Sequence, residues 1–174
     1  MKVKKTNIPK ESLVNSFLPA DYSDAFCREV QTNREITADD LQVAFWTVMP
    51  KWVAALFKLR NLLVKPFGLE SDEVKQHAQE FENCIRKGES AGLASLSGKS
   101  ENETVICLND KHLKAHISVL IKDVGGEKKR VYLITIVHFH YWLGRAYFYA
   151  ILPFHHIVVR SMLKSTLKRI EAAK

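Results

Sequence analysis

The stretch that decides the fold is VYLITIVHFHYWLGRAYFYAILPFHH (131–156), followed by IVVRSMLKSTLKRI (157–170). Its first part, as far as Tyr141, is rich in β-branched and aromatic residues, which predicts a strand. After Trp142, Leu143 and Gly144, apolar residues recur every third or fourth position, which is typical of an amphipathic helix. We therefore expect a curved sheet that packs on one long C-terminal helix.

The apolar face predicted for this helix is broad. It contains Tyr147, Phe148, Ile151, Phe154, His155, Val158, Met162, Thr166 and Ile170. Pro153 lies inside the segment, so either the helix bends there or a shorter element precedes a main helix that begins near Leu152. His156 lies beside this face and is expected to contact solvent or the short helices that the sequence predicts within residues 38–63.

Alternating sequence predicts further strands upstream, in residues 22–32, 92–99, 104–108 and 112–122. The last of these alternates apolar side chains with polar ones, among them His112 and His116. This pattern predicts one buried face and places both histidines at the surface. Gly125 and Gly126 predict a tight hairpin turn before the strand at 131–141, and the sequence leaves open which face of that strand is concave.

Residues 38–63 contain a helical pattern that Pro50 interrupts. Thr37 precedes Asp39 and Asp40, a good helix start because their oxygens meet unpaired N–H groups. Pro50 predicts two helices or one strongly kinked helix, and Pro66 with Gly68 ends the unit. Residues 71–81 are predicted as a short exposed helix or a loop, and a strand-like pattern begins at residue 82.

Composition indicates one domain, residues 21–174, preceded by an irregular N-terminal arm, residues 1–20. The net charge of +7 is spread along the chain, so no nucleic-acid partner is expected. Cys27, Cys84 and Cys107 show no disulfide or zinc spacing, and no secretory signal is evident, which favours a cytoplasmic protein. Arg145 and Arg160 interrupt the apolar C-terminal stretch and argue against a transmembrane segment.

The order of elements describes an α+β fold. It is similar to the START-like (SRPBCC, or helix-grip) superfamily of birch-pollen-allergen-like and polyketide-cyclase-like proteins. Three segments resemble an uncharacterised bacterial domain-of-unknown-function family of that superfamily: PKWVAALFKLRNLLVKPFGL (50–69), NDKHLKAHISV (109–119) and LGRAYFYAILPFHHIVVRSML (143–163). The resemblance implies an antiparallel sheet of about seven strands around the C-terminal helix, with two short helices after the first strand.

The resemblance also implies a cavity between sheet and helix that holds a hydrophobic or amphipathic small molecule. The residues expected to line it are Phe45, Met49, Trp52, Ile117, Val119, Thr135, Val137, Tyr147, Phe148 and Ile151. Thr135 and Tyr147 are candidates for orienting the ligand. Arg60 could anchor a ligand carboxylate or tie the short helices to the sheet. His155 could act as an acid or base, or be a hydrogen-bonded core residue.

No spacing of histidines or cysteines indicates a metal site, and no cofactor motif is present. His138 and His140 share one face of a strand but lack further ligands. Three functions therefore remain open: a small-molecule binding protein, a cyclase-, hydrolase- or isomerase-type enzyme that uses the same cavity, and a membrane-surface or protein-interaction module. The last would use the basic end of the final helix, at Lys164, Lys168 and Arg169. The oligomeric state is not determined by the sequence.

Overall fold

The computed structural model describes residues 2–56 and 78–172. The strands are β1 (Lys4–Thr6), β2 (Tyr22–Gln31), β3 (Ala94–Lys99), β4 (Glu103–Asn109), β5 (Leu113–Asp123) and β6 (Lys128–Phe139). The helices are α1 (Ala38–Thr47), α2 (Ala78–Lys87) and α3 (Trp142–Ala172), together with a 3₁₀ helix (Leu13–Phe17) and helical residues 51–56. The strands form one antiparallel sheet in the order β1-β2-β6-β5-β4-β3.

The α+β prediction is confirmed, with a curved sheet and a long C-terminal helix that are compatible with a helix-grip fold. The expected strand number is corrected, because the described residues form six strands rather than about seven. The segment from residue 82, which was expected to begin a strand series, is helical in α2 instead. Conversely, strand β1 was not predicted, because the N-terminal arm, residues 1–20, was expected to be irregular.

One face of the sheet packs against the helices. Val131 and Leu133 of β6 join Leu41 of α1 and Leu163 of α3 in the main core cluster, which identifies the helix-facing side of β6. Because side chains alternate along a strand, Thr135 and Val137 belong to the same side. The strand register aligns one residue from each of five strands in a row across the sheet: Asp24, Thr135, Ile117, Ile106 and Leu96.

Helix α1 begins as the sequence predicted. The Thr37 side chain accepts a hydrogen bond from the backbone N–H of Asp40, while the Asp40 carboxylate accepts one from the N–H of Thr37. The helix ends at Thr47, and helical structure resumes at residues 51–56, directly after Pro50. The interpretation of Pro50 as a break between two helices is therefore confirmed. The rest of the second predicted helix, with Arg60, lies outside the described residues.

Helix α2 corrects the strand-like interpretation of residues 82–87. Phe81, Cys84 and Ile85 are buried against the sheet at helical spacing, and Arg86 forms an ion pair of 2.8 Å with Glu82 one turn away. Gly88 has a positive φ of 76° and its N–H bonds to the carbonyl of Cys84, which ends the helix. The strand-like interpretation failed because Phe81 and Ile85 are spaced by four residues, which fits both periods, whereas Cys84 fits only the helical one.

Helix α3 is one uninterrupted helix, with Pro153 inside it. Its buried residues are Gly144, Phe148, Val159, Met162, Leu163, Thr166 and Leu167. Phe154 was predicted on the buried face, but its side chain is 55% exposed. The buried face therefore follows residues 148, 155, 159, 162 and 166, and Phe154 points away from it.

The N-terminal arm covers the opposite face of the sheet. Val14 and its neighbours Leu13 and Phe17 pack on Leu120 and Ile134, so β5 and β6 are buried on both sides. The surface positions predicted for His112 and His116 are wrong, since these residues are only 7% and 2% exposed. His116 is covered by Phe17 of the arm, and His112 contacts Tyr141 before the first turn of α3. An alternating pattern shows which side chains share a face, but it does not show that another segment covers the polar face.

His116 makes the stability of the fold sensitive to acid. Its ring stacks on Phe17 with 3.9 Å between centroids, and burial, with Lys114 and His138 nearby, lowers its pKa to about 4. An unfolded histidine titrates near about 6.5. As the pH falls from about 6.5 towards 4, the unfolded chain binds a proton that the folded chain does not, so the free energy of unfolding decreases.

We expect His116→Phe to flatten this pH dependence, measured by urea unfolding at several pH values. The variant keeps an aromatic ring against Phe17, and both ring nitrogens of His116 lack a hydrogen-bond partner among the described residues. The exposed residue His140 supplies the control, His140→Gln. An unchanged decrease between pH 6.5 and 4 in His116→Phe would show that another group carries the effect.

Candidate functional site

Four polar side chains meet where the start of β2 faces the middle of α3. We call Tyr22, Asp24, His155 and His156 the β2–α3 cluster. Alternation along β2 places Tyr22 and Asp24 on the helix-facing side, with Phe26. The Asp24 Oδ2 atom lies 2.6 Å from the Tyr22 hydroxyl, 3.2 Å from His155 Nε2 and 3.6 Å from His156 Nε2.

These distances define the hydrogen-bond directions. An ionised carboxylate only accepts, so both the Tyr22 hydroxyl and His155 Nε2–H donate to Asp24. The single hydroxyl proton of Tyr22 is then used. His156 Nε2, 2.9 Å from the Tyr22 oxygen, must donate to it. Both imidazoles therefore carry a proton on Nε2, and in the neutral form Nδ1 holds the basic lone pair.

Aromatic rings surround the cluster. The Tyr22 and Phe148 rings lie 4.8 Å apart, and the His155 ring lies 5.9 Å from that of Phe148. On the other side, the His156 ring meets the edge of Phe26 at 5.8 Å. These apolar walls reduce the access of water and strengthen each electrostatic contact inside.

The burial of the cluster shifts the pKa of several groups. Burial alone would raise the pKa of Asp24, but the hydrogen bonds from His155 and Tyr22 and the nearby imidazoles outweigh it, and the pKa is lowered. Burial and the Asp24 carboxylate raise the pKa of Tyr22. Burial also lowers the pKa of His156, although Asp24 opposes the change. At neutral pH the cluster is thus a carboxylate, a phenol and a neutral His156.

Asp24 has an unused acceptor. Its side chain is fully buried, yet its Oδ1 atom has no hydrogen-bond partner in the described part of the chain. The Oε1 atom of Gln42 is in the same state, and Gln42 donates from Nε2 to the carbonyl of Ile117, which shares a row with Asp24. Buried acceptors without donors are uncommon and unfavourable, so these two atoms distinguish this part of the interior.

Comparison with known families identifies the chain at the level of family. Residues 17–162 match the family described as "Protein of unknown function (DUF2867)". The chain belongs to the DUF2867 family. The matched span includes all four residues of the β2–α3 cluster. No curated protein matches the chain.

Part of the predicted site of this DUF2867 protein lies near the cluster. His155 belongs to the cluster itself, and Phe148 packs with Val137 in a small apolar group. Thr135 is buried and is the strand partner of Asp24, and Ile151 is partly buried on α3.

The remaining predicted residues of the DUF2867 protein are distributed elsewhere. Phe45, Met49, Ile117 and Val119 pack in the main core, nearer α1. Tyr147 is half-buried, with an interaction of its own, whereas Trp52 is 43% exposed.

Sequence analysis missed Tyr22, Asp24 and His156 as site residues. A signal for Asp24 existed, because it shares the face of β2 that carries Phe26 and Val30, and a carboxylate on an apolar face needs partners. His156 was expected near solvent or the short helices, but it is half-buried against Phe26. No local pattern connects Asp24 to His155, since 131 residues separate them.

Two surface clefts lie away from the β2–α3 cluster. One, of about 360 Å³, is lined by polar residues 31–34, Glu127 and the end of α3, and the other, of about 430 Å³, lies beside Glu103 and Lys122. Among their described lining residues, neither cleft contains a residue of the predicted site. Within residues 2–56 and 78–172, no group of metal-binding side chains is arranged to hold an ion, and no helix could cross a membrane.

Proposed function

We propose that this DUF2867 protein binds an amphipathic small molecule between the sheet and α3, with the polar end of the molecule at the β2–α3 cluster. The observation that carries the proposal is the fully buried Asp24 carboxylate, whose Oδ1 atom accepts no hydrogen bond from any residue that the structure describes. A buried ionised acceptor is costly unless it receives hydrogen bonds, and a ligand would supply the missing donor.

The free acceptor also indicates the chemistry of the ligand. Asp24 needs a donor, so the polar end of the ligand carries a hydroxyl or an ammonium group rather than a carboxylate. Apolar side chains such as Phe148 and Val137 suit an apolar body. His155 and His156, with side chains 17% and 31% exposed, connect the buried carboxylate to the surface and mark the entry route.

A relationship to the START-like superfamily is part of the same proposal. It is supported by the six-stranded sheet on a long C-terminal helix, and by the helical segments on either side of Pro50. Proteins of that fold hold their ligands between sheet and helix, which is where the β2–α3 cluster lies.

Proton transfer is the second candidate function, and it would make the protein an enzyme. The Asp24–His155 hydrogen bond of 3.2 Å favours it, because a carboxylate that holds Nε2–H leaves Nδ1 of His155 as a base. The enzyme would release its ligand chemically changed, whereas a binding protein would release it unchanged. Mass spectrometry of molecules recovered from the gently purified protein distinguishes the two.

Displacement of the dye Nile red by decanol, decylamine and decanoate tests the binding proposal. Decanol and decylamine should displace the dye at concentrations about tenfold lower than decanoate, because a hydrogen bond to a charged group contributes about 1.5–3 kcal/mol. The variant Asp24→Asn keeps the shape of the side chain and should reduce this preference to about twofold or less.

The exposed residue Asp123 supplies the matched control, since Asp123→Asn makes the same chemical change at the surface. It should keep the preference of the parent protein. The proposal fails if the dye does not bind, or if Asp24→Asn discriminates among the three probes as well as the parent does.

A further inference from the structure

The exposed side of α3 has an ordered division between apolar and basic residues. Positions spaced by three and four residues along the helix form one line, which we call the outward line: Trp142, Ala146, Tyr149, Pro153, Ile157, Arg160, Lys164 and Lys168. Every one of these residues is exposed. The first five are apolar or aromatic and the last three are basic, so the line is an apolar strip that continues into a cationic strip.

The apolar strip is unusual for a surface. Trp142 is 76% exposed, Ile157 57% and Tyr149 50%, and the exposed Phe154 lies beside them. Single exposed apolar residues are ordinary, but a contiguous strip of large ones marks an interaction surface. In the core clusters that the described residues form, and in the β2–α3 cluster, none of these side chains takes part, so the proposed ligand site leaves the strip unexplained.

The charge of α3 defines the partner. Its basic residues are Arg145, Arg160, Lys164, Lys168 and Arg169. Its acidic residue, Glu171, lies off the outward line and is paired with the buried Arg28 at 2.8 Å, so every charge on the line is positive. Arg160 lies 5.0 Å above the Phe26 ring and remains exposed. A partner of the outward line must therefore be anionic next to Arg160 and beyond it, and apolar next to Trp142 and Ile157.

We propose that the outward line of α3 docks on an anionic lipid surface. A convex helix with aromatic residues and lysines matches a bilayer interface, where apolar side chains enter the boundary below the headgroups and cations meet lipid phosphates or carboxylates. Trp142 and Tyr149 are suited to this depth, because their rings are apolar and each carries a polar tip.

Other occupants fit the outward line less well. If a second copy packed its outward line in parallel, Arg160 and Lys164 would face the same basic residues of that copy. If it packed antiparallel, they would face its apolar strip. In neither arrangement would a carboxylate balance the buried positive charge. A nucleic acid would use the cationic strip and leave Ile157 and Tyr149 exposed.

Flotation with vesicles tests the proposal on the full chain. The vesicles contain phosphatidylcholine alone or phosphatidylcholine mixed with phosphatidylserine. We expect binding to the mixed vesicles that weakens as salt is added and is much weaker on phosphatidylcholine alone. Reversing two charges with Lys164→Glu and Lys168→Glu should weaken binding about tenfold or more. Removing apolar contacts with Tyr149→Ser and Ile157→Ser should also release the protein.

Matched controls make the same changes elsewhere. Lys10→Glu with Lys87→Glu gives the same net charge at exposed positions off the line, and Val124→Ser removes an exposed apolar residue from a turn. Both controls should bind like the parent. Equal losses in the controls, absence of binding to the mixed vesicles, or binding that is indifferent to salt and to the lysine changes would overturn the proposal. So would vesicle-free dimers that disappear in the Ile157 variant, or RNA binding that only the lysine variant loses.

The Nile red assay remains separate from this test. Asp24→Asn changes the β2–α3 cluster and should leave flotation unaffected, whereas Ile157→Ser should leave dye displacement unaffected. Loss of one property without the other therefore shows which proposal has failed.

Discussion

Replacing Glu103 by alanine should lower the free energy of unfolding by about 3 kcal/mol, because several buried donors would lose their acceptor. Glu103 is 1% exposed, and its carboxylate lies beneath the N-terminal arm. It accepts hydrogen bonds from the Ser12 hydroxyl at 2.6 Å, the Ser118 hydroxyl at 2.5 Å and the backbone N–H of Leu13 at 2.7 Å. Glu103 thus joins the start of the 3₁₀ helix to β5.

Urea unfolding measures this loss, and two variants define its cause. Glu103→Gln should lose less, about 1 kcal/mol, because its carbonyl can still accept from Leu13 while the serine hydroxyls rotate to accept from its amide. Glu101 is exposed in the adjacent turn, and Glu101→Ala should change stability by less than about 0.5 kcal/mol. If Glu103→Ala is as stable as Glu101→Ala, Glu103 does not anchor the arm.

Replacing Gly144 by alanine should destabilise the protein by about 2 kcal/mol, although alanine is the better helix former. Gly144 lies in the first turn of α3, and a Cβ atom built on it overlaps the carbonyl oxygen of His112. That carbonyl accepts the N–H of His140 at 3.0 Å, and the Asp110 side chain holds the His112 N–H at 2.6 Å. The loop between β4 and β5 therefore has little freedom to move away.

The decisive result is whether Gly144→Ala lowers or raises the free energy of unfolding. At a helix position that faces solvent, the same substitution would stabilise the protein by about 1 kcal/mol. Gly98 in β3 supplies the control, because a Cβ atom there meets its neighbours at ordinary distances of 3.6–3.7 Å, so Gly98→Ala should be close to neutral. Thermal and urea unfolding of both variants measure the difference. A Gly144→Ala protein more stable than the parent would refute the close packing of α3 on the loop.

Much of the fold followed from local patterns. The alternation in 22–32 and 131–141, the Thr37 cap with acidic residues after it, the break at Pro50 and the change of period after Gly144 each indicated an element that the structure contains. These signals are local because a strand, a cap and a helix each depend on residues that are close in sequence. Residues 82–87 were misassigned because Phe81 and Ile85, four residues apart, fit both periods, although Cys84 fits only the helical one.

The candidate site was predicted only in part. His155 was singled out from its place on the apolar side of α3, and it does meet a carboxylate. Asp24 and Tyr22 were not singled out, because their partners depend on how α3 crosses β2. The pattern of residues within one strand or helix does not show where another element crosses it. Likewise, the burial of His116 required the arm to cover a second face of the sheet.

By itself, the sequence determined the α+β class, the long C-terminal helix and which residues share a face in most of the strands. These depend on side-chain period and backbone propensity, which act over a few residues. Only the tertiary structure decided that Asp24 meets two histidines, that Glu103 accepts a hydrogen bond from Ser12 of the arm, and that the outward line of α3 is exposed among the described residues. Each of these depends on packing between segments far apart in the chain, where burial and geometry, rather than local preference, select the partners.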